Sequence, residues 1–184
     1  MKPTDELSQE HDAMLRMIRV VTEMAHRLEA GIDVETDDLG RAVEFIRSFS
    51  DACHHIKEED HLYAEVVRMG SPDERPSIDL MIAEHEEGRK HVETMARAVD
   101  ALRKGDRKAG RSFAAAARRY GTLLTEHIFK EDHVLYPMLR SRLTTAQQTM
   151  LKVHFADIDR NCLGASRRAE FVRVLEQLER AYPE

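Results

Sequence analysis

Two short stretches of the chain each pair an imidazole with a carboxylate four residues on. The first reads His54-His55-Ile56-Lys57-Glu58-Glu59-Asp60-His61-Leu62-Tyr63. The second reads His127-Ile128-Phe129-Lys130-Glu131-Asp132-His133-Val134-Leu135-Tyr136-Pro137. Aligned on Lys-Glu and Leu-Tyr, they match His54 with His127 and Glu58 with Glu131. A second register, His55 with Glu59, keeps the spacing but misaligns Leu-Tyr, so His54 and Glu58 are preferred. On an α-helix, residues i and i+4 lie about 40° apart in azimuth and about 6 Å apart along the axis. An imidazole and a carboxylate so placed reach one cation, or a pair of cations, from the same side. Two such helices face to face offer two carboxylates that can bridge two ions and two imidazoles that each terminate one. His11, in Gln-Glu-His-Asp, and His85, in Ala-Glu-His-Glu-Glu, are the candidates for the remaining ligands.

Four helices must bring these residues together. Apolar residues at helical spacing predict a first helix from about Asp5 to Ala30, with Leu7, Met14, Leu15, Ile18, Val21, Ala25 and Leu28 on one stripe. Gly31 to Thr36 reads as a loop, with Thr36 or Asp37 as N-cap of a second helix to about Met69. Gly70 to Pro76 breaks that helix, and Ser71-Pro72-Asp73-Glu74 has the form of a capping box. A third helix is expected from Ser77 to Lys104 and, after a hinge at Gly105-Asp106, a fourth to about Arg142. No run alternates richly enough to predict a strand. The expected fold is therefore all-α: an up-down-up-down four-helix bundle over residues 1–142. A C-terminal helical extension, 143–184, is expected to pack on it. Thr144-Thr145-Ala146-Gln147 opens a fifth helix as a capping box, Cys162-Leu163-Gly164 ends it, and a last helix runs from about Ala165 to Ala181.

Counting rises from the bundle end that holds Gly31 and Gly105 puts His11, His54, His85 and His127 within roughly 5 Å of one plane. Glu58 and Glu131 lie one turn further along. Four imidazoles and two carboxylates converging in an apolar bundle would be costly without a metal.

With these residues in order, the chain resembles the hemerythrin-like (HHE, cation-binding) domain over about residues 5–142. The resemblance rests on Glu10-His11, on His54-x3-Glu58-Glu59 with Leu62-Tyr63, on Glu84-His85 with Gly88-Arg89, and on His127-x3-Glu131 with Leu135-Tyr136-Pro137. It implies a centre of two non-haem, carboxylate-bridged Fe ions. His11 and His54 would terminate one iron, His85 and His127 the other, and Glu58 and Glu131 would bridge. The oxygen-carrying hemerythrins of marine invertebrates have HxxxH on the third helix, whereas here the positions four before and four after His85 are Met81 and Arg89. They also place an Asp five after the fourth-helix His, whereas Glu131 sits four after His127. The set looks closer to the four-His, two-Glu sites of bacterial hemerythrin-like proteins and iron-sensing domains. That points away from simple reversible O2 carriage.

Composition agrees with a soluble metal-binding reading. The chain has ten histidines in 184 residues, no Trp, and a net charge of −6. An acidic balance argues against a nucleic-acid partner, and no apolar run is long enough for a transmembrane helix. No apolar region opens the chain as a signal peptide would, and with only two cysteines a cytoplasmic location is expected. Cys53 reads as a small buried hydrophobe, and Met14, Met17, Met24, Met81 and Met95 as gap fillers in the core. Tyr120 reads as a core aromatic and His55 as lying outside the inner ligand set. His61 shares the face of His54 and could line a pocket. Glu84 to Glu87 reads as solvated helix face. The expected function is binding, sensing or scavenging of a small diatomic or peroxide ligand (O2, NO or peroxide). The alternatives are iron storage or delivery, and a metal that only supports folding. The C-terminal helices are expected to cover the bundle or to support a homodimer.

Overall fold

A computed structural model of the chain describes residues 1–70, 74–162 and 164–183. Among the described residues all regular structure is helical. Helix α1 spans Pro3–Glu29 and buries the predicted stripe, from Leu7 through Met14, Ile18 and Val21 to Ala25. Helix α2 (Thr36–Phe45) begins with Glu35, rather than Thr36 or Asp37, at the N-cap, and no side chain caps it. Asp37 and Asp38 in its first turn already complement the positive helix end.

The predicted second helix is helical throughout but is not a plain α-helix. After α2 the chain widens into two π-helical stretches, π1 (Ile46–His55) and π2 (Lys57–Tyr63), before α3 (Ala64–Arg68) closes the run. The fourth helix does the same over one turn: α5 (Ala109–Lys130) leads into π3 (Glu131–Leu135) and then α6 (Tyr136–Arg142). Pro137 sits in the first turn of α6. A proline ring collides with the carbonyl four residues back, and the extra residue in the preceding π turn relieves that collision. Helix α4 spans Arg75–Arg103. The expected capping box falls on residues 71–73, outside the described residues. Its last member, Glu74, is buried and accepts a bond from Arg142 Nε at 2.7 Å. Gly105, with φ of +91°, turns the chain between α4 and α5 in the left-handed region that glycine adopts without steric penalty.

Helix α7 (Thr145–Cys162) opens on the predicted capping box. Gln147 N donates to Thr144 Oγ1 at 3.3 Å, and Thr144 N donates to Gln147 Oε1 at 2.9 Å. Helix α8 spans Gly164–Ala181.

The buried apolar side chains form two separate clusters. One gathers Leu7, Leu62, Tyr63, Ile78, Met81, Leu135, Tyr136 and Leu139 with Leu151 and Phe155 of α7. The other runs from Met14 to Ala25 on α1 through Phe45, Met95, Phe113 and Leu124 to Phe171, Leu175 and Leu178 of α8. In sequence, five of the six predicted ligands fall between the members of one cluster and those of the other on their own helix, and His127 lies one residue short of that boundary, before Ile128. The imidazoles and inner carboxylates thus form a polar layer between two dry ones. Helix α7 roofs the first apolar layer and α8 the second.

Candidate metal centre

The structure brings all six expected side chains together at the polar layer. His11, His54, Glu58, His85, His127 and Glu131 are each at most 1% exposed. They form two groups, His11-His54-Glu58-Glu131 and Glu58-His85-His127-Glu131, in each of which the candidate ligand atoms lie within 4.8 Å of one another. Glu58 and Glu131 belong to both groups. Glu58 Oε2 faces His54 Nε2 at 3.5 Å and His85 Nε2 at 3.4 Å. Glu131 faces His11 Nε2 at 3.2 Å through one oxygen and His127 Nε2 at 3.1 Å through the other. His54 Nε2, Glu58 Oε2 and Glu131 Oε2 are buried and, among the described residues, make no hydrogen bond. Buried polar atoms are rarely left without a partner, and these three converge. That donor set, imidazole nitrogen and carboxylate oxygen, suits iron and related transition metals.

Each inward imidazole is held by a carboxylate on its outer nitrogen. His11 Nδ1 pairs with Asp132 at 3.0 Å, His54 Nδ1 with Glu10 at 2.9 Å, His85 Nδ1 with Glu59 at 2.7 Å, and His127 Nδ1 with Glu84 at 2.9 Å. A proton on Nδ1 fixes the tautomer that leaves Nε2 free to ligate. The arrangement repeats in two halves. The Glu before His11 holds His54, and the Glu before His85 holds His127. The acid after Glu58 holds His85, and the acid after Glu131 holds His11. Lys57 backs Glu10 at 2.6 Å, and Lys130 backs Glu84. Tyr63 donates to Glu131 and Tyr136 donates to Glu58.

The halves differ at their outer edges. Lys57 is fully buried and also meets Glu6 at 3.0 Å and Asp159 of α7 at 2.8 Å, while Arg168 of α8 caps Asp159 at 2.8 Å. Lys130 is 35% exposed and, among the described residues, pairs with Glu84 alone. Outside the inner ligand set, His55 is buried and lies flat on His85, with ring centroids 3.8 Å apart. Its Nδ1 faces Asp51 at 3.5 Å, and among the described residues neither ring nitrogen makes a hydrogen bond. Arg89 bridges Asp51 and Glu59 beside this stack. His61 departs from expectation. The wider π winding rotates it off the face of His54, and it meets His154 of α7 at 3.1 Å instead. Glu84 is no solvated face residue, since it anchors His127.

The charges inside the layer compensate one another. Burial presses the His11 imidazole down, but Asp132, Glu131 and Glu58 outweigh it and raise it to about 10. Burial likewise opposes His54 and His127, yet Glu58 and Glu10 raise the first to about 9, and Glu131 and Glu84 raise the second to about 9. For Glu131 burial favours the acid form, and His127 and His11 overcome it and hold the carboxyl far below its usual range. Burial and the neighbouring His55 push His85 down to about 4. Without a cation, then, protons on imidazoles neutralise the inner carboxylates. A metal ion would take over that role.

The order of these residues along the chain can be compared with known proteins. A sequence model of the hemerythrin HHE cation-binding domain matches residues 2–139, three quarters of the chain. The chain belongs to the hemerythrin HHE family. Uncharacterised proteins of Mycobacterium bovis and Mycobacterium tuberculosis are similar to it at 22% identity over 177 residues, which cover 96% of this chain and 69% of each relative. No solved structure matches it. The match ends before α7, so the helices that bury Lys57 lie outside the part that the HHE model describes. In this HHE protein the buried His and Glu groups fit a cation site. Among the described residues no helix is long and apolar enough to cross a membrane.

Some of the supporting residues left a trace in the sequence. Glu10 and Glu84 precede His11 and His85 in the same way, and Lys-Glu-acid and Leu-Tyr recur in both ligand helices. Asp159 and Arg168 left none, because Asp159 meets Lys57 across about a hundred residues of chain and Arg168 reaches the group through Asp159 and Glu10.

Proposed function

We propose that this HHE protein holds two non-haem, carboxylate-bridged Fe ions and uses them to bind, sense or scavenge O2, peroxide or NO. His11 and His54 would hold one ion, His85 and His127 the other, and Glu58 and Glu131, which belong to both groups, would be shared between them. The observation that carries the reading is the orphaned inward face: His54 Nε2, Glu58 Oε2 and Glu131 Oε2 are buried without hydrogen bonds among the described residues, while every outer imidazole nitrogen is anchored. Two irons in such a pocket supply electrons and exchangeable positions to a small ligand. The chain's own residues do the rest. The Nδ1 carboxylates orient the imidazoles, Tyr63 and Tyr136 hold the bridging carboxylates through their hydroxyls, and the apolar layers above and below exclude water. The same reading takes residues 1–142 as an up-down-up-down four-helix bundle and 143–184 as its extension, working in the cytoplasm.

Metal content per chain, measured by mass spectrometry on untagged protein from iron-supplemented cells, tests it. About two irons per chain are expected, with near-ultraviolet absorption that azide or peroxide alters. Glu58→Gln should reduce iron below one per chain. One zinc per chain, no metal, or a Glu58→Gln variant that still holds two irons would overturn the reading.

A further inference from the structure

The two cysteines, 109 positions apart, meet in the folded chain. Cys53 lies in π1, one residue before His54, and is 3% exposed. Cys162 is the last residue of α7 and is half-buried against the same apolar cluster. Its thiol donates at 3.0 Å to the carbonyl of Ala52, the residue before Cys53, and Cys53 belongs to the cluster that Cys162 packs against. Both are free thiols. A chance pair of cysteines in a chain with only two seldom lands in contact. A disulfide needs the two sulfurs at ~2.05 Å, and Cys162 already sits against the peptide unit that joins Ala52 to Cys53. Cys162 ends its helix, and Gly164, with φ of +57° and open space around its Cβ position, forms a joint two residues on.

We infer that Cys53 and Cys162 are a disulfide-forming pair, oxidised by hydrogen peroxide, that locks α7 onto the helix carrying His54. Peroxide reaches the half-buried Cys162 first. Its sulfur attacks one peroxide oxygen, the O–O bond breaks, and a sulfenic acid and water form. The Cys53 sulfur then attacks the sulfenic sulfur. The S–O bond breaks, the S–S bond forms, and a second water leaves with the Cys53 proton. Overall two thiols give up two electrons and two protons, and one peroxide becomes two waters. The step needs no metal, so it stands apart from the iron reading. Its position gives it a consequence for that reading, since the bond closes directly beside a candidate ligand and beside the Asp159-Lys57-Glu10 chain that anchors the ring of His54.

The test uses the full chain, reduced, both as purified with its metal and after chelation. Each sample receives one equivalent of peroxide, followed by thiol counting, intact mass and peptide mapping under non-reducing conditions. Both thiols should disappear together, the mass should fall by two hydrogens, and a single peptide pair should link residues 53 and 162 within a monomer. The oxidised protein should melt about 5–15 °C higher than the reduced one. In Cys162→Ser, Cys53 should stay titratable under the same dose. Oxygen adducts on Cys162 with Cys53 still free, disulfide-linked dimers, or equal loss of Cys53 in Cys162→Ser would each overturn the inference. A disulfide formed in protein that binds no iron would leave this inference standing and refute the proposed iron function.

Discussion

Replacing Lys57 by Met should destabilise the protein far more than the same change at Lys130. The two lysines occupy matching places, each backing the carboxylate that anchors a ligand imidazole. Their surroundings differ. Lys57 is fully buried among Glu6, Glu10 and Asp159, with nitrogen-to-oxygen distances of 3.0, 2.6 and 2.8 Å. Removing one partner of a buried ion pair costs about 3–5 kcal/mol, because the other charge stays behind. Arg168 remains near both Glu10 and Asp159 and softens the loss, so roughly 3 kcal/mol is expected. Lys130 is 35% exposed, and water screens its pair with Glu84, so its loss should cost below about 1 kcal/mol. For a chain of this size the gap of about 2 kcal/mol corresponds to roughly 4–8 °C in melting temperature. Thermal unfolding of the metal-free variants, followed by circular dichroism, reads it directly. The acid side gives a second check. Burial works against the Glu10 carboxylate, but His54 and Lys57 hold it at about 2, against an ordinary value of 4.5. A depressed carboxylate contributes stability that is complete above its unfolded value and disappears as pH falls through its folded one. The deficit of Lys57→Met should therefore be full at neutral pH and shrink between about pH 4.5 and 2. Equal melting temperatures for the two variants would refute the claim that the C-terminal helices bury a working charge chain.

Two further outcomes follow from the same geometry. His11 stands near 10 and His54 and His127 near 9 in the metal-free protein, so metal uptake at pH 7 must displace their protons. Addition of a divalent metal in a pH-stat should release about two or three protons per chain, with affinity rising as pH rises toward 9; uptake without proton release would contradict this account. Tyr136→Phe removes the hydroxyl that donates to Glu58, and Tyr63→Phe the one that donates to Glu131. Each should lower metal-free stability by about 1–3 kcal/mol in denaturant titration, and the two by similar amounts, since their environments match; a neutral result for either would break the proposed equivalence of the two halves.

Much of the site could be read from residue order, because helical periodicity is local. The depth of His11, His54, His85 and His127 follows from counting rises between turn residues, and those turns carry glycines of positive φ at Gly31 and Gly105. The π winding could not be read. Over one or two turns it shifts the apolar period by less than the scatter of the side chains themselves. That shift moved His61 off the inner face, and no pattern showed that His55 would lie against His85. Lys57 was equally hidden. A lysine inside a charged helical run resembles a solvated one until α7 and α8, contributed from residues 145 to 181, are known to cover it.

The π winding of the second ligand helix also sets what an insertion or deletion would do there. The inward residues His54 and Glu58 are each followed by a residue of the same type, His55 and Glu59. Loss of one residue between Ile46 and Ala52 would turn the second member of each doublet toward the axis and still present an imidazole and a carboxylate. The fourth helix holds no such reserve, since Ile128 follows His127 and the same slip would aim an apolar side chain at the centre. The second ligand helix therefore keeps its two inward donor types through a change of chain length that would strip the imidazole from the fourth.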